Sequence, residues 1–271
     1  METRRALLAG PVGLVPTMGY LHDGHISLVR RCVEENAATV VSIFVNPTQF
    51  GPSEDLDRYP RDIERDLALL NEAGADIVFT PSVDEMYPPG FEDWVEVAGA
   101  LTERLEGAHR PGHFRGVTTV VARLLRIVRP DRAYFGQKDA QQLRVIRRMV
   151  ADLALPVQIV GMTIIREPDG LAMSSRNVYL SPKERKAALA LSRALRSAEA
   201  LVRDGETDAA RIRDEIRQMI ESEPLVEVDY VSVADDATLE ERTTIDRPAL
   251  ALVAARVGAT RLIDNVELSP P

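Results

Sequence analysis

Residues 12–45 read VGLVPTMGYLHDGHISLVRRCVEENAATVVSIFV, and this stretch decides the fold. Residues 12–15 form a short apolar run closed by Pro16, the mark of a buried strand. Ile26, Val29 and Val33, with Leu28 and Cys32 beside them, recur at helical spacing. Residues 39–45 (TVVSIFV) are β-branched and too uniformly apolar for a strand with one wet face; they suit a strand covered on both sides. Strand, helix and strand in so short a span make a βαβ unit, hence a parallel pair joined by a right-handed crossover.

Outward from that unit the alternation continues. Ile63, Leu67 and Leu70 mark a second helix, and residues 76–80 a strand stopped by Pro81. Val117, Val120, Val121, Leu124, Leu125 and Val128 mark a third helix, ended before Pro130. Residues 133–135 read as a strand, 140–150 as a helix and 157–160 as a strand. The pattern predicts an α/β fold with a doubly wound, Rossmann-like parallel sheet.

Past residue 165 the pattern changes. Ser181-Pro182-Lys183-Glu184 is a capping box with proline at the first helical position, opening a long helix towards Val202. A helix over 208–221 follows, then strands at 226–233, 250–253 and 260–263. A first domain over 1–165 and a smaller α+β C-terminal domain over 166–271 are therefore expected.

Composition narrows the function. With 42 acidic against 33 basic residues the net charge is −9, and no basic stripe offsets it. Such a surface repels nucleic-acid phosphates, so anionic small molecules must be met by local donors and a few placed cations. The single cysteine, Cys32, excludes an intrachain disulfide and fits a reducing cytoplasm. Arg4-Arg5 followed by residues 6–9 (ALLA) imitates the start of a signal peptide. Gly10-Pro11 breaks the stretch, and no small-residue cleavage site follows. No run approaches the ~18–20 apolar residues of a membrane span. The expectation is a soluble cytoplasmic protein with no nucleic-acid or membrane partner.

Four segments carry chemistry. Residues 16–25 (PTMGYLHDGH) leave the first strand and feed the first helix. Helix N-termini offer free N–H groups and partial positive charge, so anions bind there, and Gly19 and Gly24 let a ligand approach the backbone. His22 and His25 could both donate to phosphate. They could equally be a cap and a loop residue, or, with the second close pair His109 and His113, zinc ligands. Phe135-Gly136-Gln137-Lys138-Asp139 lies at another strand-to-helix junction, with Asp139 a natural N-cap. Lys138 opposes the helix dipole there, a conflict that an anionic ligand would remove, or that a solvated lysine avoids by pointing its flexible stem away.

In Met173-Ser174-Ser175-Arg176-Asn177 two hydroxyls, an amide and a fixed cation crowd together, a phosphate-recognising set or a polar turn. Residues 45–51 (VNPTQFG) leave the second parallel strand for the same crevice. Gln49 suits a hydroxy acid, and Gln141 and Gln142 could face it; a polar turn and a solvated helix face are the alternatives. The charged loop at 52–62 is a candidate mobile lid or a plain surface loop.

Together PTMGYLHDGH (16–25), FVNPTQFG (44–51), RPGHFRGV (110–117), FGQKDAQQ (135–142) and MSSRN (173–177) resemble the pantothenate synthetase (pantoate–β-alanine ligase) family. These motifs cover residues 12–180; the C-terminal third matches more loosely. The HxGH element alone marks the wider nucleotidyl-transferase superfamily. The resemblance implies that pantoate attacks ATP to form pantoyl adenylate and pyrophosphate, and that β-alanine then displaces AMP. It implies His25, His22, Lys138 and Arg176 as catalytic residues. It also implies ATP binding by Met18, Gly19, His22, His25, Gly136, Gln137, Lys138, Asp139, Met173, Ser174, Ser175 and Arg176, with Ile165 on the adenine side. Gln49, Gln142 and Met18 would meet pantoate, and Gln49 β-alanine as well. Mg²⁺ riding on the phosphates and a homodimer belong to the same expectation. Family members usually carry a further strand and part of a helix before the first motif, so the expectation is either a misassigned gene start or an absent edge strand.

Overall fold

The computed structural model describes residues 5, 8–52 and 54–270. Arg4, Ala6 and Leu7 of the leader-like stretch, and Ser53 of the charged loop, lie outside the described residues. Two compact units divide the chain: residues 1–137 with 141–163, and residues 138–140 with 164–271.

In the first unit β1 (Val12–Thr17), α1 (Asp23–Glu35) and β2 (Ala38–Ile43) form the expected βαβ element. They are followed by α2 (Ile63–Glu72), β3 (Ile77–Phe79), α3 (His113–Val128), β4 (Arg132–Gly136), α4 (Ala140–Asp152) and β5 (Gln158–Met162). Single helical turns at Val83–Met86, Ala100–Glu103 and Glu106–His109 fill the long β3–α3 connection. The five strands are all parallel in the order β3-β2-β1-β4-β5. The order reverses between β1 and β4, and in open α/β sheets ligands bind outside the strand ends at that reversal.

Side-chain alternation explains why both faces are dry. Leu14, Val40, Ala133 and Phe135 join one core with α3 and α4, whereas Val15, Val41 and Tyr134 join another with α1 and α2. Fully burying each aliphatic side chain contributes roughly 1.5–3 kcal/mol. Glycine matters where β1 meets α1: a Cβ on Gly13 would collide with the Cys32 thiol, so their close approach needs a bare Cα there. At the far end of α1, Asn36 Nδ2 donates to the Tyr134 hydroxyl at 2.8 Å, which donates to Glu35 at 2.7 Å. Burial, and then the bond to Glu35, raise the Tyr134 pKa, and burial pushes the Cys32 thiol up to about 11, so both stay protonated at neutral pH.

Three expectations shift. Strand β1 runs through Pro16 to Thr17; its register with β4 covers only Gly13 and Leu14, so the proline falls where pairing is one-sided. Strand β2 ends at Ile43, leaving Phe44 and Val45 past the ladder. Val33, Ile63 and Leu67 share the helical periodicity but are exposed, because the sheet is reached by Val29, Cys32 and Leu70 instead.

In the second unit α5 (Pro182–Arg203) and α6 (Ala209–Glu221) precede an antiparallel sheet of β6 (Val226–Asp235), β7 (Ala249–Val257) and β8 (Thr260–Leu268), in that order. The capping box holds: Glu184 N–H donates to Ser181 Oγ at 3.3 Å and Ser181 N–H to Glu184 Oε2 at 2.8 Å. One apolar core joins α5, α6 and the inner face of the sheet. Among the described residues no helix is long and apolar enough to cross a membrane.

Candidate active site

In the first unit, the turn between β1 and α1 has most of its amides satisfied by side chains of its own and of Asp66 in α2. Gly19 N–H donates to Thr17 Oγ1 at 3.2 Å, Tyr20 N–H to Asp66 Oδ2 at 2.7 Å, and Leu21 N–H to Asp66 Oδ1 at 2.8 Å. His22 N–H donates to His25 Nδ1 at 3.4 Å. Asp23 and Gly24, the first two residues of α1, keep amides with no partner among the described residues. The generic helix-terminus anion site is thus narrowed to two backbone donors and two imidazoles. Because His25 Nδ1 accepts, the neutral ring carries its proton on Nε2. The two rings lie 4.1 Å apart. Beside the turn, a cavity of about 320 Å³ reaches Met18, Gly19, Phe44 and Asp66.

The segment after β2 is organised by Asn46, which the sequence reading passed over. This side chain is 1% exposed. Its Oδ1 accepts from Thr48 Oγ1 at 2.9 Å and Tyr87 Oη at 2.8 Å. Its Nδ2 donates to Gln49 Oε1 at 3.0 Å and to the Gly116 carbonyl at 3.1 Å. Gln49 Nε2 in turn points at Met18 Sδ, 3.2 Å away. Two residues expected at the substrate therefore meet. The available signal was Asn-Pro at a helix start, here capping the turn Pro47–Gln49.

The RPGHFRGV segment supports Gln49 from behind. His113 is buried, and Arg110 Nη1 lies 3.0 Å from its Nε2. Arginine can only donate, so Nε2 accepts and Nδ1 carries the proton to the Gln49 carbonyl at 2.9 Å. Burial first, and then the Arg110 charge, lower the His113 pKa to about 4. Arg110 also grips Glu54 through two bonds of 2.7 and 2.8 Å, tying down the charged loop at 52–62, where Tyr59 is buried against Phe50. His109 is exposed on a separate helical turn and does not pair with His113 for a metal. A Cβ on Gly116 would collide with the Thr48 carbonyl, which is how α3 comes so near this segment.

After β4, Gly136 registers with Met162 of β5, and Gln137 Oε1 accepts from Arg144 at 3.3 Å. Gln141 is not a site residue: it is buried, donating to the carbonyls of Leu101 and Arg104 and accepting from Glu106 N–H. Gln142 is half-buried on α4 and has no hydrogen-bond partner among the described residues.

In the second unit Lys138 and Asp139 lie within a 3-10 turn that runs straight into α4, so Asp139 sits inside the turn instead of capping a helix. Its carboxylate is 3.7 Å from Lys138 Nζ, and Asn265 Nδ2 donates to the Lys138 carbonyl at 3.0 Å. Ile165 and Met173 are brought together by a bond of 3.0 Å from the Met173 amide to the Ile165 carbonyl. Ser174 Oγ accepts from Arg176 N–H at 3.3 Å, starting the turn Ser175–Tyr179; its own hydroxyl proton can still donate. Asn177 anchors that turn to Glu167 at 2.9 Å and to the Ala172 carbonyl at 3.1 Å. Glu167 and Asp169 both pair with Arg185 at 2.8 Å. Among the described residues no group of three or more His, Cys, Asp or Glu side chains gathers as for a metal.

The sequence pattern of the family described as "Pantoate-beta-alanine ligase" matches residues 1–267. A pantothenate synthetase of Roseiflexus sp. (strain RS-1) is 60% identical over 99% of this chain and 96% of its own length. One of Dehalococcoides mccartyi (strain ATCC BAA-2266 / KCTC 15142 / 195) is 58% identical over 99% and 100%. A crystal structure of pantothenate synthetase from Thermus thermophilus superposes with a TM-score of 0.95 at 52% identity, covering 98% of this chain and 96% of the other. The pantoate–β-alanine ligase of Francisella tularensis, solved as a complex with "Beta-gamma ATP and Beta-alanine", gives 0.82 at 33%, covering 98% and 93%.

Proposed function

The chain belongs to the pantoate–β-alanine ligase family, and from that premise we propose how its residues share the work. The activity is the ATP-dependent condensation of pantoate with β-alanine, through an enzyme-bound pantoyl adenylate, to give pantothenate, AMP and pyrophosphate. Neither step asks for a protein nucleophile. The pantoate carboxylate attacks the α-phosphorus and pyrophosphate leaves; the β-alanine amine then attacks the acyl carbon and AMP leaves. The protein has to position the reactants and stabilise charge as it builds on phosphate oxygens.

In the first unit, His25 donates to the α-phosphate from Nε2, beside His22 and the amides of Asp23 and Gly24. Met18, Gly19, Gly136 and Gln137 complete that unit's nucleotide contacts. Gln49, held by Asn46 against Met18, takes pantoate and then β-alanine, and Gln142 takes pantoate. In the second unit, Lys138 and Arg176 supply placed cations in a chain whose net charge is −9. Asp139, Ser174 and Ser175 bind the nucleotide, with Ile165 and Met173 as its apolar contacts. Mg²⁺ enters with ATP. Such an ion is held chiefly by phosphate oxygens and water. A cytoplasmic homodimer is the assembly we propose, on the family resemblance.

The bonds that link Asn46, Gln49 and Met18, with the open amides of Asp23 and Gly24, are what support the first-unit roles. The deciding measurement is AMP and pyrophosphate release from ATP with pantoate and β-alanine added singly and together. AMP release should need both. If pantoate alone drives turnover, the second half-reaction is misassigned; if neither stimulates it, the whole reading falls.

A further inference from the structure

We propose that Asp66, assisted by Arg65, is a positioning residue that holds the Gly19–Tyr20–Leu21 turn in its nucleotide-receiving shape, so that α2 sets how well ATP is bound. The inference rests on the nucleotide-binding role of that turn.

Asp66 is 1% exposed and lies in the first turn of α2. A carboxylate is costly to bury unless each oxygen is satisfied, and here each takes one backbone amide: Tyr20 at 2.7 Å and Leu21 at 2.8 Å. Those amides belong to a turn that does not hold itself. Gly19 has φ +80 and Tyr20 φ +48, both in the left-handed region, which a tyrosine enters only when its surroundings impose it. Arg65 imposes the rest. Its guanidinium lies 5.2 Å from the Tyr20 ring centroid and 3.7 Å from Asp66 Oδ1, so consecutive residues of α2 grip the backbone and the ring of the same tyrosine. The Asp62 cap fixes α2 in place, accepting from Arg65 N–H at 3.1 Å.

Charge rules out the simpler role. A carboxylate at an anion-receiving turn repels phosphate, so Asp66 does not serve by attraction. It serves by taking two amides out of contention and leaving those of Asp23 and Gly24. It also sets where Gly19 sits: a Cβ there would come within 3.1 Å of Asp66 Oδ2 and 3.0 Å of Ile43 Cγ2.

Binding of a non-hydrolysable ATP analogue, α,β-methylene-ATP with Mg²⁺, to the full-length chain isolates this role from the acceptor chemistry. Asp66→Asn keeps the volume but presents an NH₂ to one of the two amides; analogue affinity should fall at least fivefold. Asp66→Ala should fall further. Arg65→Ala, at a half-exposed side chain, should fall two- to fivefold with little change in melting temperature. In steady state the KM for ATP should rise while that for pantoate stays within twofold. Amide exchange at Tyr20 and Leu21 should quicken in both Asp66 variants. If Asp66→Asn melts earlier but binds the analogue as the parent does at 10 °C, Asp66 is only structural and the proposal is overturned. Equal losses for ATP and pantoate overturn it too. Should Asp66→Ala not fold, the other two variants decide. A parent chain that binds the analogue yet never releases AMP with pantoate and β-alanine would sink the ligase reading and leave this test intact.

Discussion

His113 gives its Nδ1 proton to the carbonyl of Gln49 at 2.9 Å, so the residue expected to meet both substrates is held through its backbone by a buried imidazole. Protonating Nε2 would leave that bond in place but remove the acceptor for Arg110 and set a second buried cation against the guanidinium.

Stability should therefore depend on acid in a defined window. The folded pKa of about 4 lies below the ordinary 6.5, so the unfolded chain binds the extra proton first. Stability is complete above about pH 6.5 and falls as pH drops towards 4, by about 3 kcal/mol at the limit. Melting temperature against pH checks this. His113→Asn should flatten the slope across that window; an unchanged slope would assign the loss elsewhere, for instance to Glu54 and Glu106 around Arg110.

Gly116→Ala drives a methyl group into the Thr48 carbonyl. Overpacking against backbone costs about 1–3 kcal/mol. Asn46 and Gln49 sit on that backbone, so the KM for pantoate should rise several-fold while the KM for ATP changes little. Denaturant unfolding together with steady-state kinetics separates the two effects, and an unaltered pantoate KM would detach Gln49 from α3.

His25→Ala removes the Nε2 donor and the acceptor of the His22 amide together. Single-turnover formation of the adenylate should slow by about 10²–10⁴. An unchanged rate would take His25 out of the chemistry.

Gln142→Ala alters a side chain with no described partner to lose, so folding should be untouched. The pantoate requirement should rise with ATP binding spared. A defect confined to ATP would place Gln142 on the nucleotide instead.

Much of this was legible in the sequence because the relevant signals are local. The uniformly apolar TVVSIFV run announces a strand buried on both faces, and the Ser181–Glu184 box starts α5 where hydrogen bonds show it. HxGH and FGQKD fall at the ends of β1 and β4, the two strands flanking the order reversal. What stayed hidden depends on partners distant in the chain. Nothing near residue 66 says that its carboxylate reaches back to Tyr20, and nothing around Asn46 says that it spans to Tyr87 and Gly116. Gln141 misled for the same reason. A glutamine beside a motif looks like a ligand group until the loop it ties down is seen.

The adjacency of β1 and β4 also has a kinetic meaning. Asp131, just before β4, holds the amide of Val12 across 119 residues of sequence. Closing so long a loop costs entropy before any contact repays it, and pairings of that kind form late. The β1–α1–β2 element can collapse early from neighbouring residues, but the ends of β1 and β4, where we propose the nucleotide sits, come together only once β4 has been made and docked. During synthesis the chain should thus stay unable to hold ATP until β4 has cleared the ribosome, and nascent chains arrested before residue 132 should bind no nucleotide.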